Sequence, residues 1–466
     1  MLVFGILVAG AMGLVAANQG FAAVALPLVL LVGVAVFMQP VLGLFLLAGT
    51  IPLEAALMVE GASAPRLVGI AVFGVWGLQK LLRQEPLGPL LSPGMVQVAL
   101  AFIAFACFSV LWADYANVLP RQLFLLVQLL LLAVLTFDLA SSWERVAWVA
   151  RFLVMAALIA AVLTAQQYFG LGVRRAGRGV VGGINRTALT LVTVRPFAFY
   201  LLRSRSSSFW RAIGLVYIGV APVAVAATLS RMNFLLFPLV VAIHLLIMAR
   251  HKGQRRGVLL LALAAAATLS LVPTDVVRDR ALTIVPYLTQ TIGTEESVQE
   301  YSGRGYILRV GLAMLKENPV VGVGYYNFRL QFPTYAWTVP GTDRLELSPR
   351  SPHSSHIGLL AELGMVGFIL WGVLFAVGFK YLRRAWHAPE GPSSEHALLV
   401  QAIAITSGLF VIYGLYAEVH ASKLFWLVIG LVVAVDRLAA RERARVHDPS
   451  DSRWEQEGSK FSSHTP

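Results

Sequence analysis

Apolar runs long enough to cross a bilayer recur along almost the whole chain, and they leave few alternatives for its fold. A helix rises about 1.5 Å per residue, so about 20 apolar residues bridge a hydrocarbon core about 30 Å thick. Such runs lie near residues 66–83, 95–112, 119–138, 146–169, 184–203, 211–228, 231–249, 256–273, 357–379, 397–416 and 421–438. Residues 1–60 are apolar but broken by Asn18, Gln19, Pro40 and Pro52, and have room for one to three crossings. A single crossing there brings the total to twelve. With 58% hydrophobic and 13% charged residues, against about 25% charged in a soluble domain, the chain lacks the polar skin a globule needs. The expected fold is an all-α polytopic membrane protein of about twelve transmembrane helices, with one large loop carrying short helices. No internal repeat is visible, which weighs against an inverted-repeat transporter.

The net charge of +13 does not signal nucleic acid, because the cations sit in short clusters between apolar runs, as loops at a membrane boundary do. Arg203, Arg205 and Arg211 form one cluster, and Arg250, Lys252, Arg255 and Arg256 a second. Lys380, Arg383 and Arg384 form a third, and Arg437, Arg441, Arg443 and Arg445 a fourth. All four fall on the cytoplasmic side if every run crosses once. This alternation divides the chain into an N-terminal helix bundle (1–273), a large periplasmic loop (274–356), C-terminal membrane helices (357–440) and a polar, disordered cytoplasmic tail (441–466). The first Lys or Arg is Arg66, so the basic segment of a cleavable signal is missing and the first apolar run is expected to remain. The one cysteine, Cys107, lies in an apolar run and reads as a small core residue.

Several arginines break the positive-inside pattern. Arg174, Arg175 and Arg178 precede the 184–203 run, and Arg186 sits at its outer end after Val181-Gly182-Gly183-Ile184-Asn185. Arg231 stands at the outer turn of the 211–249 hairpin, and Arg304 follows Ser302-Gly303 in the long loop. A guanidinium at the centre of a span costs about 2.5–3.5 kcal/mol on insertion scales. Any one arginine can offset this by reaching the lipid headgroups. Several converging on the outer face would suit a pyrophosphate, whose oxygens a planar guanidinium binds in pairs. The long loop ends in Pro352-His353-Ser354-Ser355-His356. A histidine there can accept a proton from an attacking sugar hydroxyl, or simply face water. His353 and His356 are spaced as two metal ligands on one helical face, but no third ligand stands nearby and no metal is expected. Glu362, Glu418 and His420 also lie near the outer face. They could orient a substrate or, more simply, serve as counter-ions to the arginines.

These residues resemble the O-antigen ligase and polymerase superfamily. Its large periplasmic loop is flanked by two patterns, Arg-x-x-x-Leu and His-[Asn/Ser/Gln] followed by nine residues and Gly-x-x-Gly. Arg231 to Leu235 and Arg304 to Leu308 fit the first; His353-Ser354 and Gly364-Met365-Val366-Gly367 match the second in full. Asn318-Pro319-Val320-Val321-Gly322-Val323-Gly324 resembles the superfamily's core in order and spacing, whereas His356 stands where relatives often carry an aromatic residue. The resemblance implies a membrane-embedded, GT-C-like glycosyltransferase of the bacterial inner membrane that is inverting, metal-independent and free of cofactors. It would act in lipopolysaccharide biosynthesis as an O-antigen ligase. Donor and acceptor would be undecaprenyl-pyrophosphate-linked O-antigen and the lipid A–core oligosaccharide. His353 would be the base, and Arg186, Arg231 and Arg304 would hold the pyrophosphate. An O-antigen polymerase, a protein O-oligosaccharyltransferase and a lipid-linked sugar transporter are the alternatives.

Overall fold

The computed structural model describes residues 33–59, 62–173, 175–249, 304–339, 348–387 and 395–447. Within them the chain is helical apart from the two-residue pair β1 (Met58–Val59) and β2 (Ala62–Ser63). The helices are α1 (Pro40–Thr50), α2 (Ala64–Leu82), α3 (Gly88–Leu91), α4 (Gly94–Phe108), α5 (Leu119–Leu139), α6 (Trp143–Phe169) and α7 (Ile184–Arg203). They continue as α8 (Ser208–Ala227), α9 (Arg231–Ala249), α10 (Arg304–Glu317), α11 (Phe328–Ala336), α12 (Ser355–Trp386), α13 (Glu395–Tyr413) and α14 (Lys423–His447).

Seven described segments are long and apolar enough to cross a membrane, namely α5 with the turn before it, α6, α8, α9, α12, α13, and α4 with the turn after it. The chain is therefore an all-α polytopic membrane protein. The expected runs at 66–83, 184–203 and 421–438 are helices too (α2, α7 and α14), but they carry charges that keep them out of that set. For α7 and α14 the packing explains why. Residues 187–201 of α7 and 424–436 of α14 are buried, because neighbouring helices enclose both. Helices shielded from lipid can hold polar groups that a lipid-facing helix cannot. Arg195 of α7 is the extreme case at 1% exposure. Its guanidinium lies 5.0 Å from the Phe237 ring centroid, with Nη1 3.4 Å from His244 Nδ1. The run at 256–273 and residues 1–32 fall outside the described residues, as do residues 274–303.

At the end of the bundle remote from His353, α12, α13, α14 and α6 are tied by charge. Arg384 donates to both Asp436 oxygens, from Nε at 3.0 Å and Nη2 at 2.7 Å. Arg443 donates to the Arg384 carbonyl at 2.7 Å, and Glu442 meets both His396 and Trp143. These contacts correct one expectation. The tail expected to be disordered from residue 441 begins as helix through His447, because Glu442 and Arg443 find partners on α6, α12 and α13. Asp436→Asn should lower the stability of the folded protein by about 1 kcal/mol, measurable as a small fall in Tm in detergent.

Outside the membrane bundle, α10 and α11 form a layer with a core of their own. Tyr306, Ile307, Val310, Met314, Val323, Phe328, Phe332, Tyr335 and Ala361 pack together. Tyr306, Ile307, Val310 and Met314 thus form the inner face of α10, packed on the first turns of α12. The layer is pinned at a break in α12. Gly364 adopts φ 60°, ψ −160° inside the helix, a conformation that only glycine takes without strain. Breaking a helix strands backbone groups on both sides of the break. Here the segment 319–324 supplies their partners. Val323 and Gly324 N–H groups donate to the Ala361 and Glu362 carbonyls at 2.9 and 2.8 Å. The Met365 and Val366 N–H groups donate to the Pro319 and Val320 carbonyls at 2.9 and 3.2 Å. A second anchor reaches the end of α4. Tyr325 N–H donates to Ser109 Oγ at 3.0 Å, Tyr115 N–H to Asn327 Oδ1 at 2.9 Å, and Gln331 Nε2 to Asp114 at 2.7 Å.

Candidate active site

The corner that carries His353 is built by the loop between α13 and α14. Ser354 caps α12, accepting from the Ile357 N–H at 3.2 Å, and its hydroxyl donates to the Gly414 carbonyl at 3.0 Å. Ser355 Oγ accepts the Val419 and His420 N–H groups at 2.7 and 3.3 Å and lies 2.9 Å from His420 Nδ1. Backbone bonds from Ser355 N–H to Ala417 O and from His356 N–H to Gly414 O complete the clasp. The two serines after His353 therefore act as staples, drawing residues 414–420 against the start of α12.

The three outer histidines separate into distinct roles. His356 has both ring nitrogens engaged: Trp371 Nε1 donates to Nδ1 at 3.2 Å, and Nε2 lies 2.9 Å from the Val411 carbonyl. An indole N–H can only donate, so Nδ1 must accept and the His356 proton must sit on Nε2, directed at Val411. His420 is buried, and desolvation pushes its pKa down to about 4, so the ring is neutral and bound to Ser355. His353, by contrast, is exposed and precedes the helix with φ 50°. It therefore shares no helical face with His356. Among the described residues, no group of three or more His, Cys, Asp or Glu side chains is placed to hold a metal ion.

Glu418 links this corner to the arginines. Its carboxylate accepts the His353 backbone N–H and lies within electrostatic reach of Arg186 and Arg329. Burial raises its pKa, against the lowering effects of that N–H and the two guanidiniums. Arg186, on the first turn of α7, is exposed, so two residues far apart in sequence meet at one end of the bundle. Arg231 begins α9 and is half-buried. Its helix reaches the same corner through Asn233, which bonds Tyr413 at the end of α13. Arg304 opens α10, which rests on the His353 end of α12. Arg178 is exposed in the 170–183 loop, its carbonyl accepting from Gln167 Nε2 at 3.1 Å. That loop is bonded to the α8–α9 turn through Ala176 N–H to Ala227 O. Glu362 is brought near but turned to another task. Its buried carboxyl group accepts the N–H groups of Tyr326 and Phe328, at the start of α11, where helix N–H groups lack partners within the helix.

Residues 213–372 match the O-antigen ligase family model.

The O-antigen ligase match takes in Arg231, Arg304, His353 and the Gly364 break, and is consistent with the ligase and polymerase superfamily whose motifs those residues carry. Members of that superfamily are glycosyltransferase-like enzymes. Arg186 and the Glu418 loop lie outside the O-antigen ligase region and join it only through the fold. No curated protein matches the chain. Arg329 was not singled out by sequence reasoning. It stands among aromatic residues, with no motif around it, and only the packing of α11 brings it to Glu418.

Proposed function

We propose that the chain is an O-antigen ligase of the bacterial inner membrane, transferring glycan from undecaprenyl pyrophosphate to a sugar hydroxyl of lipid A–core on the periplasmic side. The observation that supports this reading is the place of Glu418, which accepts the His353 backbone N–H and lies within electrostatic reach of Arg186 and Arg329. An exposed histidine and guanidinium charge thus lie toward one end of a membrane bundle. His353 takes the proton of the acceptor hydroxyl. The hydroxyl oxygen attacks the donor's anomeric carbon as the bond to the pyrophosphate oxygen breaks, and the configuration there inverts. Negative charge then grows on the leaving pyrophosphate, where Arg186, Arg231 and Arg304 hold it. The lipid tails of both substrates remain in the bilayer between helices, so the apolar groups need not enter water.

The deciding experiment supplies purified, reconstituted protein with lipid-linked O-antigen and lipid A–core. Capped core is the expected product; longer lipid-linked chains would mean a polymerase, and no new glycosidic bond would mean transport. In the same assay Arg186→Lys should lower kcat/KM about 100-fold, since lysine keeps the charge but cannot grip two oxygens in a fork. Unchanged kcat/KM in that variant would remove Arg186 from the pyrophosphate site.

A further inference from the structure

His353 holds a backbone conformation that non-glycine residues seldom adopt. At φ 50° it lies in the left-handed region, which costs a residue with a Cβ about 1–3 kcal/mol and persists only where the surroundings impose it. Two devices impose it here. Ser354 and Ser355 fix the chain immediately after His353 to the 414–420 loop. Glu418, from the same loop, takes the N–H of His353 itself. The Glu418 carboxylate is partly buried, and Arg186 and Arg329 on two other helices balance its charge.

We propose that Glu418 is the positioning residue of the site: its carboxylate, held between Arg186 and Arg329, clamps the His353 backbone in the left-handed conformation that presents the imidazole to the acceptor hydroxyl. Glu418 touches neither donor nor acceptor in this role. Arg186 comes from the membrane bundle and Arg329 from the outer layer. Arg329 thereby becomes part of the site through Glu418, a connection no motif announces. The proposal rests on the glycosyl-transfer reading above, with His353 as the base.

The test compares three substitutions at Glu418, with kcat measured per folded protein and His353→Ala run in parallel. Glu418→Gln keeps a hydrogen-bond acceptor at the same reach and should retain most of the transfer rate. Glu418→Asp keeps the charge but shortens the arm by one methylene. It should lose about 100-fold in kcat, the scale of a misplaced catalytic group, with KM for the lipid-linked donor little changed. Glu418→Ala should fall as far. If alanine prevents folding, the Gln and Asp pair alone decides. Full activity in Asp with loss in Gln would show that charge, not the bond to His353, matters, and would overturn the proposal. Equal rates in Gln and Asp, high or low, would overturn it too. Should His353→Ala transfer glycan normally, the base assignment itself fails. If His353→Ala is inactive while Glu418→Asp keeps wild-type kcat, only the positioning role fails.

Discussion

His353→Ala should abolish glycan transfer while leaving the protein inserted and folded. General-base catalysis is worth about 100-fold to 10,000-fold, and among the described residues neither of the two neighbouring histidines is placed to take over the proton. Both nitrogens of His356 are committed, to Trp371 and Val411. His420 is buried against Ser355, on the inner side of the loop. The His353 ring is exposed, so its removal opens no cavity in the core, and Tm should move by no more than a degree or two. Single-turnover transfer with the reconstituted enzyme measures the loss. Near-normal turnover in this variant would mean that the proton leaves by another route, and that the conspicuous histidine of the motif is a structural residue.

The second large effect is on folding. Gly364→Val should disrupt the attachment of the outer layer and destabilise the protein by about 3 kcal/mol or more. A Cβ at Gly364 would run into the Val320 carbonyl, and the φ of 60° is itself hostile to a branched side chain. Because the Met365 and Val366 N–H groups are bonded to the Pro319 and Val320 carbonyls, residue 364 cannot relax into ordinary helix without breaking those pairs. Gly372→Ala, eight residues along the same helix and with open space around it, should change Tm by little in either direction. Protease sensitivity of the 304–339 region, compared between the two variants, reads the effect directly. Equal resistance in both would contradict the interlock.

Hydropathy alone delivered the helices because a membrane span must satisfy its backbone internally, which leaves the sequence little freedom. The expected runs at 95–112, 119–138 and 146–169 correspond to α4, α5 and α6 within a few residues. The break at Gly364 was less legible. The Gly-x-x-Gly spacing flagged the position, but the fact that Asn318 to Gly324 runs alongside it depends on pairing between segments forty residues apart. The same limit hid Arg329 and the task of Glu362. An isolated arginine in α11 and an acid in α12 acquire meaning only once α11 is seated on α12. The surroundings of His356 were hidden for a related reason. Its spacing from His353 suggests a shared helical face, whereas the left-handed turn at His353 and the indole of Trp371 draw the two apart.

The way segment 319–324 is threaded onto α12 also bears on how two lipids could reach the corner. Swinging the outer layer aside like a flap would break four backbone hydrogen bonds at once, each at a cost of about 1–3 kcal/mol where water cannot replace them. Such a flap would be open only a small fraction of the time. On the ligase reading, the two lipids would then enter sideways from the bilayer and not beneath a lifting layer.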